Sequence, residues 1–567
     1  MTRLFDDPAS FAEDALAGFC DLHPDRVRRV EGGVVRALPA DEGRVAVVIG
    51  GGAGHYPAFF GLIGPGSADA AVVGGVFTPP SPRAVLSVAR AAHGGGGLLF
   101  VFGNYAGDGT GFGAAQERLR LDGIDCRSVV VTDDIASAPA GLRSARRGIA
   151  GAFAVIKVAG AAADEGQPLD EVERIARLAD DRTRSLGVAF DGCTLPGGSE
   201  PLFEVPAGKM GLGLGVHGEP GSSEVELPSA DRLAEILVDG LLAEAPAGAG
   251  PRVGVLLNGL GSTGGEELFV LWNDVSRRLR GAGLEPVEPE AGELVTSLDM
   301  AGVSLTLIWL DAELERFWRA PADTPAYRKR ARRRIPDRPD PAVALERIVR
   351  GAEHTGTGVD SREAASALAA VFGAVRRIVA DHAAELGRVD AVVGDGAHGR
   401  GMVRGTAAAH EAAELAVRAG AGARSTLARA GDAWAGRGGG TSGMLWGTGL
   451  RAFAGELSDE RAPTTAELTA GVAAFAESVV RTSGARPGDK TVVDALAPFA
   501  AEFAESGSWT RAATAARRAA AGTASLRPKH GRARESAERG LGTPDPGALS
   551  FALIAEAIAA AVRTDSE

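Results

Sequence analysis

Three glycine-framed segments in the first 221 residues carry side chains able to do chemistry. They are Gly50-Gly51-Gly52-Ala53-Gly54-His55, then Gly103-Asn104-Tyr105-Ala106-Gly107-Asp108, then Gly213-Leu214-Gly215-Val216-His217-Gly218-Glu219-Pro220-Gly221. Their glycines let backbone N–H groups come close to a polar ligand. The first segment lacks the Lys-Ser/Thr of a phosphate-binding P-loop, and its spacing does not fit the dinucleotide fingerprint. Asp108 supplies a carboxylate suited to a general base. His217 stands among glycines, so its imidazole is sterically open and can accept a proton or attack a carbonyl carbon. Singly, the three also read as a strand-to-helix turn, a surface turn and a turn histidine.

Elements of two kinds must position these groups. In the first half, short apolar runs end in Gly-rich loops: 45–50, 70–77, 96–103 and 127–134, with further strands near 252–258 and 304–310. Amphipathic Ala-rich stretches, such as 82–92 and 148–166, lie between several of them. That alternation predicts an α/β region with mixed or parallel sheets, here placed at 1–335 as two subdomains, about 1–190 and 191–335. A Pro-rich charged stretch follows, and 336–357 reads as a linker. From 358 to 567 the pattern is helical, at 362–386, 406–419, 464–482, 492–505, 509–523 and 547–563, with strand patterns nearly absent. This half is read as an all-α domain whose chemistry sits on the loops between helices.

Composition narrows the function classes. A chain of 567 residues is too long for one core. The net charge of −13 and the lack of a basic run beyond Arg328–Arg334 argue against nucleic acid as a main partner. Nothing approaches 18 uninterrupted apolar residues, so no transmembrane helix and no membrane partner are expected. Three scattered cysteines fit neither a zinc site nor a disulfide framework, and point to a reducing cytoplasm.

In order and spacing, GGGAGH, GNYAGD and GLGVHGEPG resemble the dihydroxyacetone kinase family. The resemblance implies that His217 binds the carbonyl of a short ketose covalently, as a hemiaminal. Asp108 would be the base for the hydroxyl being phosphorylated, and His55 would hydrogen-bond the substrate, with Gly51, Gly52 and Tyr56 beside it. In the second half, the segment Leu386–Gly399 resembles the family's magnesium loop, and Gly438–Gly443 its phosphate-contacting turn. Segments Arg486–Thr491, Gly531-Arg532 and Thr543–Gly547 match further family loops. By resemblance Asp390 and Asp395 would bind Mg²⁺. His398, Gly399, Thr441, Ser442, Arg532, Asp545, Pro546 and Gly547 would contact ATP. With both halves on one polypeptide, the fused form implies ATP as the direct donor, and the family suggests a homodimer.

Three departures stand out. The family's Gly-His-Glu-Pro is Gly54-His55-Tyr56-Pro57 here, and a common lysine is Gly103, a change expected to open room for a longer sugar. Both variants resemble the erythrulose kinase branch. The family's third magnesium-loop aspartate is Ala397. Two alternatives accompany the kinase reading: cyclisation of FAD by an FAD-AMP lyase activity in the same nucleotide pocket, and a non-catalytic ketose- or nucleotide-binding regulator.

Overall fold

The computed structural model describes residues 2–38, 41–219, 221–330, 357–530, 534 and 538–564. The chain divides into two compact units, 1–335 and 336–567. The stretch 336–357, read as a linker, lies outside the described residues apart from Thr357.

The first unit is built on two sheets. Strands β1 (Val27–Val30), β2 (Gly33–Arg36), β3 (Ala46–Ala53), β4 (Ala70–Val76), β5 (Leu98–Gly103) and β6 (Cys126–Val131) form the first, in the order β1-β2-β4-β3-β5-β6. The β4-β3-β5-β6 core is parallel, and the β1-β2 hairpin adds an antiparallel edge. β3 and β5 are buried almost throughout, as strands covered on both faces must be. After β3 the chain crosses to β4 on one side, while β5 lies on the other. The carboxyl ends of β3 and β5 therefore flank a topological switch point, where open α/β sheets form their ligand crevice.

The second sheet holds β7 (Thr183–Ala189), β8 (Lys209–Leu212), β9 (Ser223–Glu226), β10 (Arg252–Gly259), β11 (Glu285–Pro286), β12 (Glu290–Gly292) and β13 (Gly302–Trp309). Its order is β11-β10-β13-β7-β8-β9, with β12 also paired to β10. From β10 through β13, β7 and β8 to β9 each pairing is antiparallel, while β11 and β12 pair parallel to β10. The expected subdomain break near residue 190 comes one strand too late. β7 is buried along its whole length and its partner is β13, so it belongs to the second sheet.

One hydrophobic core joins the two sheets, including Val47, Val101, Leu256, Ile308 and Trp318. Its centre is the helix Gly151–Asp164 (α4, counting from Phe11–Leu22 as α1, Pro82–Ala92 as α2 and Ala106–Leu121 as α3). Every residue of α4 from Gly151 to Ala163 is buried. A helix apolar all round needs neighbours on every side, and α4 touches strands of both sheets. Burying Phe153, Val155, Ile156 and Val158 contributes about 2 kcal/mol each. The Asp133 carboxylate accepts the N–H groups of Ile149 and Gly151, at 2.8 Å each, where α4 begins. Lys157, the one cation inside α4, donates to the Phe317 carbonyl at 2.9 Å, and burial pushes its pKa down to about 7.

The second unit is helical in its described residues. Its helices are Val359–Asp381, Ala383–Asp390, His398–Arg418, Ala423–Gly438, Gly440–Gly455, Thr465–Ser483, Val493–Ser506, Trp509–Gly522 and Pro546–Thr564. They enclose an apolar cavity of ≈ 490 Å³, lined by Phe372, Trp434, Trp446, Phe475 and Phe551 among others. Trp434 and Trp446 stack with ring centroids 4.7 Å apart.

Gly160 offers a test of how closely α4 is held. In an open helix, Gly→Ala stabilises by about 1 kcal/mol. Here a Cβ at residue 160 would lie 2.1 Å from the Ser67 carbonyl oxygen. Gly160→Ala should therefore destabilise by roughly 1–3 kcal/mol, read as a lower melting temperature; an unchanged or higher one contradicts this packing.

Candidate functional site

The three glycine-framed segments meet in the first unit. β3 ends in Ala53 and hands over to His55; β5 ends at Gly103, just before α3, which carries Asp108 in its first turn; His217 sits in the β8–β9 connection. His55 Nε2 and His217 Nε2 are 3.0 Å apart. His55 Nδ1 donates to the Thr296 carbonyl at 2.7 Å. His217 Nδ1 lies 2.9 Å from Glu219 Oε1, while Glu219 Oε2 accepts the His217 backbone N–H at 3.0 Å. Three rings cage the His217 imidazole: His55, Phe77 and Tyr105, with centroids at 4.9, 5.0 and 5.1 Å, all edge-on. Phe77 also stacks on His55 at 5.1 Å and holds a left-handed φ of 52°, strain of the kind that collects at functional sites.

Gly51, Gly52, His55, Tyr105, Asp108 and His217 share the wall of one cavity of ≈ 40 Å³. Two buried oxygens of this group, Asp108 Oδ1 and the Tyr105 hydroxyl, have no hydrogen-bond partner. An orphaned buried oxygen costs about 1–3 kcal/mol, so each is a place where a ligand hydroxyl would be welcome. Burial pushes Asp108 up to about 6, against the pull of His217. It pushes His55 down to about 4, helped by His217. Burial also opposes ionisation of Glu219, but the hydrogen bond and charge of His217 outweigh it and bring that carboxyl down to about 2.

Two expectations fail here. Tyr56 does not line the cavity; its ring packs against Phe60 and Phe19, at 5.1 and 6.0 Å. Gly103 does line the cavity, but the room it leaves is small. A Cβ there would meet the Gly148 carbonyl at 3.1 Å and the Tyr105 ring at 3.2 Å, so the space is already filled.

In the second unit, His398 is the meeting point. Its Nε2 is 2.9 Å from Ser550 Oγ, its Nδ1 is 3.4 Å from Ser442 Oγ, and its backbone N–H donates to Asp390 Oδ2 at 3.1 Å. Burial holds its pKa below the ordinary imidazole value, against Asp390. His398, Ser442, Gly547 and Ser550 line a cavity of ≈ 20 Å³ with Trp446 and Phe551. Gly399 is buried in the first turn of His398–Arg418. The Gly438–Gly443 segment is not a loop: the single residue Gly439, at φ 66°, links two helices, and Thr441 and Ser442 stand in the first turn of the second. Thr441 is exposed. Asp545 precedes Pro546–Thr564 and accepts the Ala548 N–H at 2.7 Å, an N-cap with proline at the first helical position. Burial, with Asp494 nearby and against the Ala548 hydrogen bond, pushes Asp545 up to about 7. Arg532 lies outside the described residues.

Asp390 ends one helix and Asp395 follows in the turn, its Oδ1 accepting the Ala397 N–H at 3.0 Å. Among the described residues no group of three acidic, His or Cys side chains could hold a metal by itself. That donor set fits Mg²⁺, which takes one or two carboxylates and completes its shell with phosphate oxygens and water.

A Dak1 domain model matches residues 17–326, more than half of the chain, and a DAK2 domain model matches 392–560. The chain belongs to the dihydroxyacetone kinase family. It is 52% identical to the D-erythrulose kinase of Mycolicibacterium smegmatis, over 100% of both chains. It is 50% identical to the L-erythrulose kinase of Pectobacterium atrosepticum, over 100% of this chain and 97% of that one. Among solved structures it is similar to the dihydroxyacetone kinase of C. freundii in complex with AMP-PNP and Mg²⁺, at 29% identity and a TM-score of 0.57, over 100% of both chains.

Glu219, Thr296 and Phe77 contact the His55–His217 pair without having been singled out from sequence. Glu219 had a signal, a carboxylate two residues after the open histidine. Thr296 had none, because it acts through its backbone carbonyl.

Asp108 yields a stability prediction. Its folded pKa, about 6, lies above the ordinary value of 3.8, so ionising it opposes folding. That cost is full above pH 6 and vanishes below pH 4. Asp108→Asn should raise stability by about 1–3 kcal/mol at pH 8. The gain should shrink as pH falls from 6 to 4 in thermal melts; a pH-independent effect contradicts the assignment.

Proposed function

We propose that this chain is an ATP-dependent kinase for a terminal hydroxyl of a short ketose, erythrulose or dihydroxyacetone, held as a hemiaminal on His217. The observation that carries the reading is the His217 ring. Its Nδ1 is engaged by Glu219, its Nε2 lies 3.0 Å from His55 Nε2, and both rings line a cavity with Asp108, whose Oδ1 has no partner. Attack by Nε2 needs a carbonyl, so glycerol-like polyols are refused although they share the ketose hydroxyls. His55 stands next to the oxygen that forms, and Asp108 takes the proton of the hydroxyl that attacks the γ-phosphate. An Asp pKa of about 6 leaves the base ionised at neutral pH yet basic enough to accept that proton. Two full-length relatives named erythrulose kinases, at 52% and 50% identity, favour a four-carbon ketose.

In the second unit, the first-turn N–H groups of Gly440–Gly455, with Thr441 and Ser442, suit phosphate oxygens. Asp390 and Asp395 would hold Mg²⁺, which offsets phosphate charge during transfer when bound. His398, Gly399, Arg532, Asp545, Pro546 and Gly547 are assigned to the nucleotide by family resemblance, and a homodimer on the same ground. Three free cysteines, and no helix long and apolar enough to cross a membrane among the described residues, support a cytoplasmic enzyme.

A coupled assay with ATP and Mg²⁺ against both erythrulose enantiomers, dihydroxyacetone and glyceraldehyde should show ADP release with a ketose; none with any of them refutes the kinase. His217→Ala should raise the ketose KM steeply. Asp108→Asn should lower kcat by roughly 10²–10⁴-fold, and wild-type kcat/KM should fall as pH drops through about 6, where Asp108 of the free enzyme takes up a proton. Restoring the third carboxylate with Ala397→Asp should lower the Mg²⁺ concentration for half-maximal rate. An unchanged Mg²⁺ profile would mean that Ala397 leaves no gap in the metal site.

A further inference from the structure

The hydrogen bonds around His55 and His217 constrain where protons can be. The Thr296 carbonyl can only accept, so His55 Nδ1 carries a hydrogen. Glu219 is ionised over the working range, its pKa being near 2, so His217 Nδ1 carries one too. In a neutral pair, both Nε2 atoms would then present lone pairs to each other at 3.0 Å, which is repulsive. One proton between them turns the repulsion into an N–H···N hydrogen bond. The two Nε2 atoms share that proton across the 3.0 Å contact, and burial keeps it from resting on His55 alone. The other titratable and charged groups around this pair are Asp108 in the first turn of α3, Tyr105 just before it, and Arg147. Arg147 pairs with Asp134 at 2.8 Å and donates to the Gly213 carbonyl at 2.8 Å, steadying the loop that carries His217.

We propose that Glu219 is the positioning residue for covalent capture: it fixes the Nδ1–H form of His217 and supplies the counter-charge for the captured state. The proposal rests on the capture reading above. The shared proton first passes to His55 Nε2, which frees the His217 Nε2 lone pair; that pair bonds to the carbonyl carbon and the C=O π pair moves to the oxygen. The shared proton, relayed by His55, ends on that oxygen as the hemiaminal hydroxyl. The His217 ring now bears carbon on Nε2 and hydrogen on Nδ1, and is an imidazolium. The histidine pair thus carries one positive charge before and after capture, opposite the Glu219 carboxylate throughout. No proton is exchanged with solvent. Without Glu219 the ring is free to keep its hydrogen on Nε2, where it blocks the attacking lone pair, and the captured cation is left without its partner.

Three measurements on the full chain test this. With 2-¹³C-dihydroxyacetone, wild type should move the ketone carbon resonance to that of a carbon bonded to oxygen and nitrogen. Glu219→Gln preserves shape and a hydrogen-bond acceptor but removes the charge. It should lose most of that signal and raise the ketose KM roughly tenfold to a hundredfold, with the ATP KM unchanged. Calorimetry of dihydroxyacetone binding to wild type, in two buffers of different ionisation enthalpy at pH 7, should show no net proton exchange. An adduct in wild type with an unchanged adduct and KM in Glu219→Gln overturns this proposal alone. No adduct in wild type overturns the capture reading itself. Uptake of about one proton by wild type shows that the resting pair is neutral and overturns the shared proton, even if the variant fails to fold.

Discussion

The 3.0 Å contact between His55 Nε2 and His217 Nε2 ties the first unit together functionally. Each ring comes from a different sheet, and both must be held to tenths of an ångström for the contact to persist. Each is fixed from behind by one acceptor, the Thr296 carbonyl for His55 and the Glu219 carboxylate for His217. Behind those acceptors the buried helix α4 welds the two sheets into one core. The chemistry is local, but its precision comes from packing that runs through the whole unit.

Much of this was legible in sequence, for identifiable reasons. Strands covered on both faces leave unbroken apolar runs, so β3, β5, β10 and β13 stand out. Glycines mark where a chain turns tightly beside a ligand, and they framed His55, Asp108 and His217. What could not be read depends on distance or on backbone. Thr296 contributes a carbonyl from 241 residues away, which no side-chain pattern announces. The fate of Gly103 turned on where the Tyr105 ring lands. β7 was assigned to the wrong subdomain because its partner, β13, lies more than a hundred residues later. In the second unit, the helices Ala423–Gly438 and Gly440–Gly455 were hidden by the glycines between them, which looked like a loop.

The two units meet different demands. The first holds rings and carboxylates buried, with pKa values displaced in opposite directions: Asp108 up, His55 and Glu219 down. Opposed shifts of this kind are what the proposed division between an acid and a base requires. The second handles charge at helix ends. Asp545 caps one helix, the Asp390 carboxylate receives a helix-starting N–H from His398, and Ser442 stands in a first turn.

The link at Gly439 has an electrostatic consequence. One helix ends at Gly438 and the next begins at Gly440 without a side-chain cap, so the carbonyl end of the first faces the N–H end of the second. A negative pole and a positive pole therefore sit one residue apart. A metal–phosphate pair is itself a dipole. Under the proposed function, the main-chain poles of this junction would act on such a pair alongside the Asp390 and Asp395 carboxylates and the Thr441 and Ser442 hydroxyls.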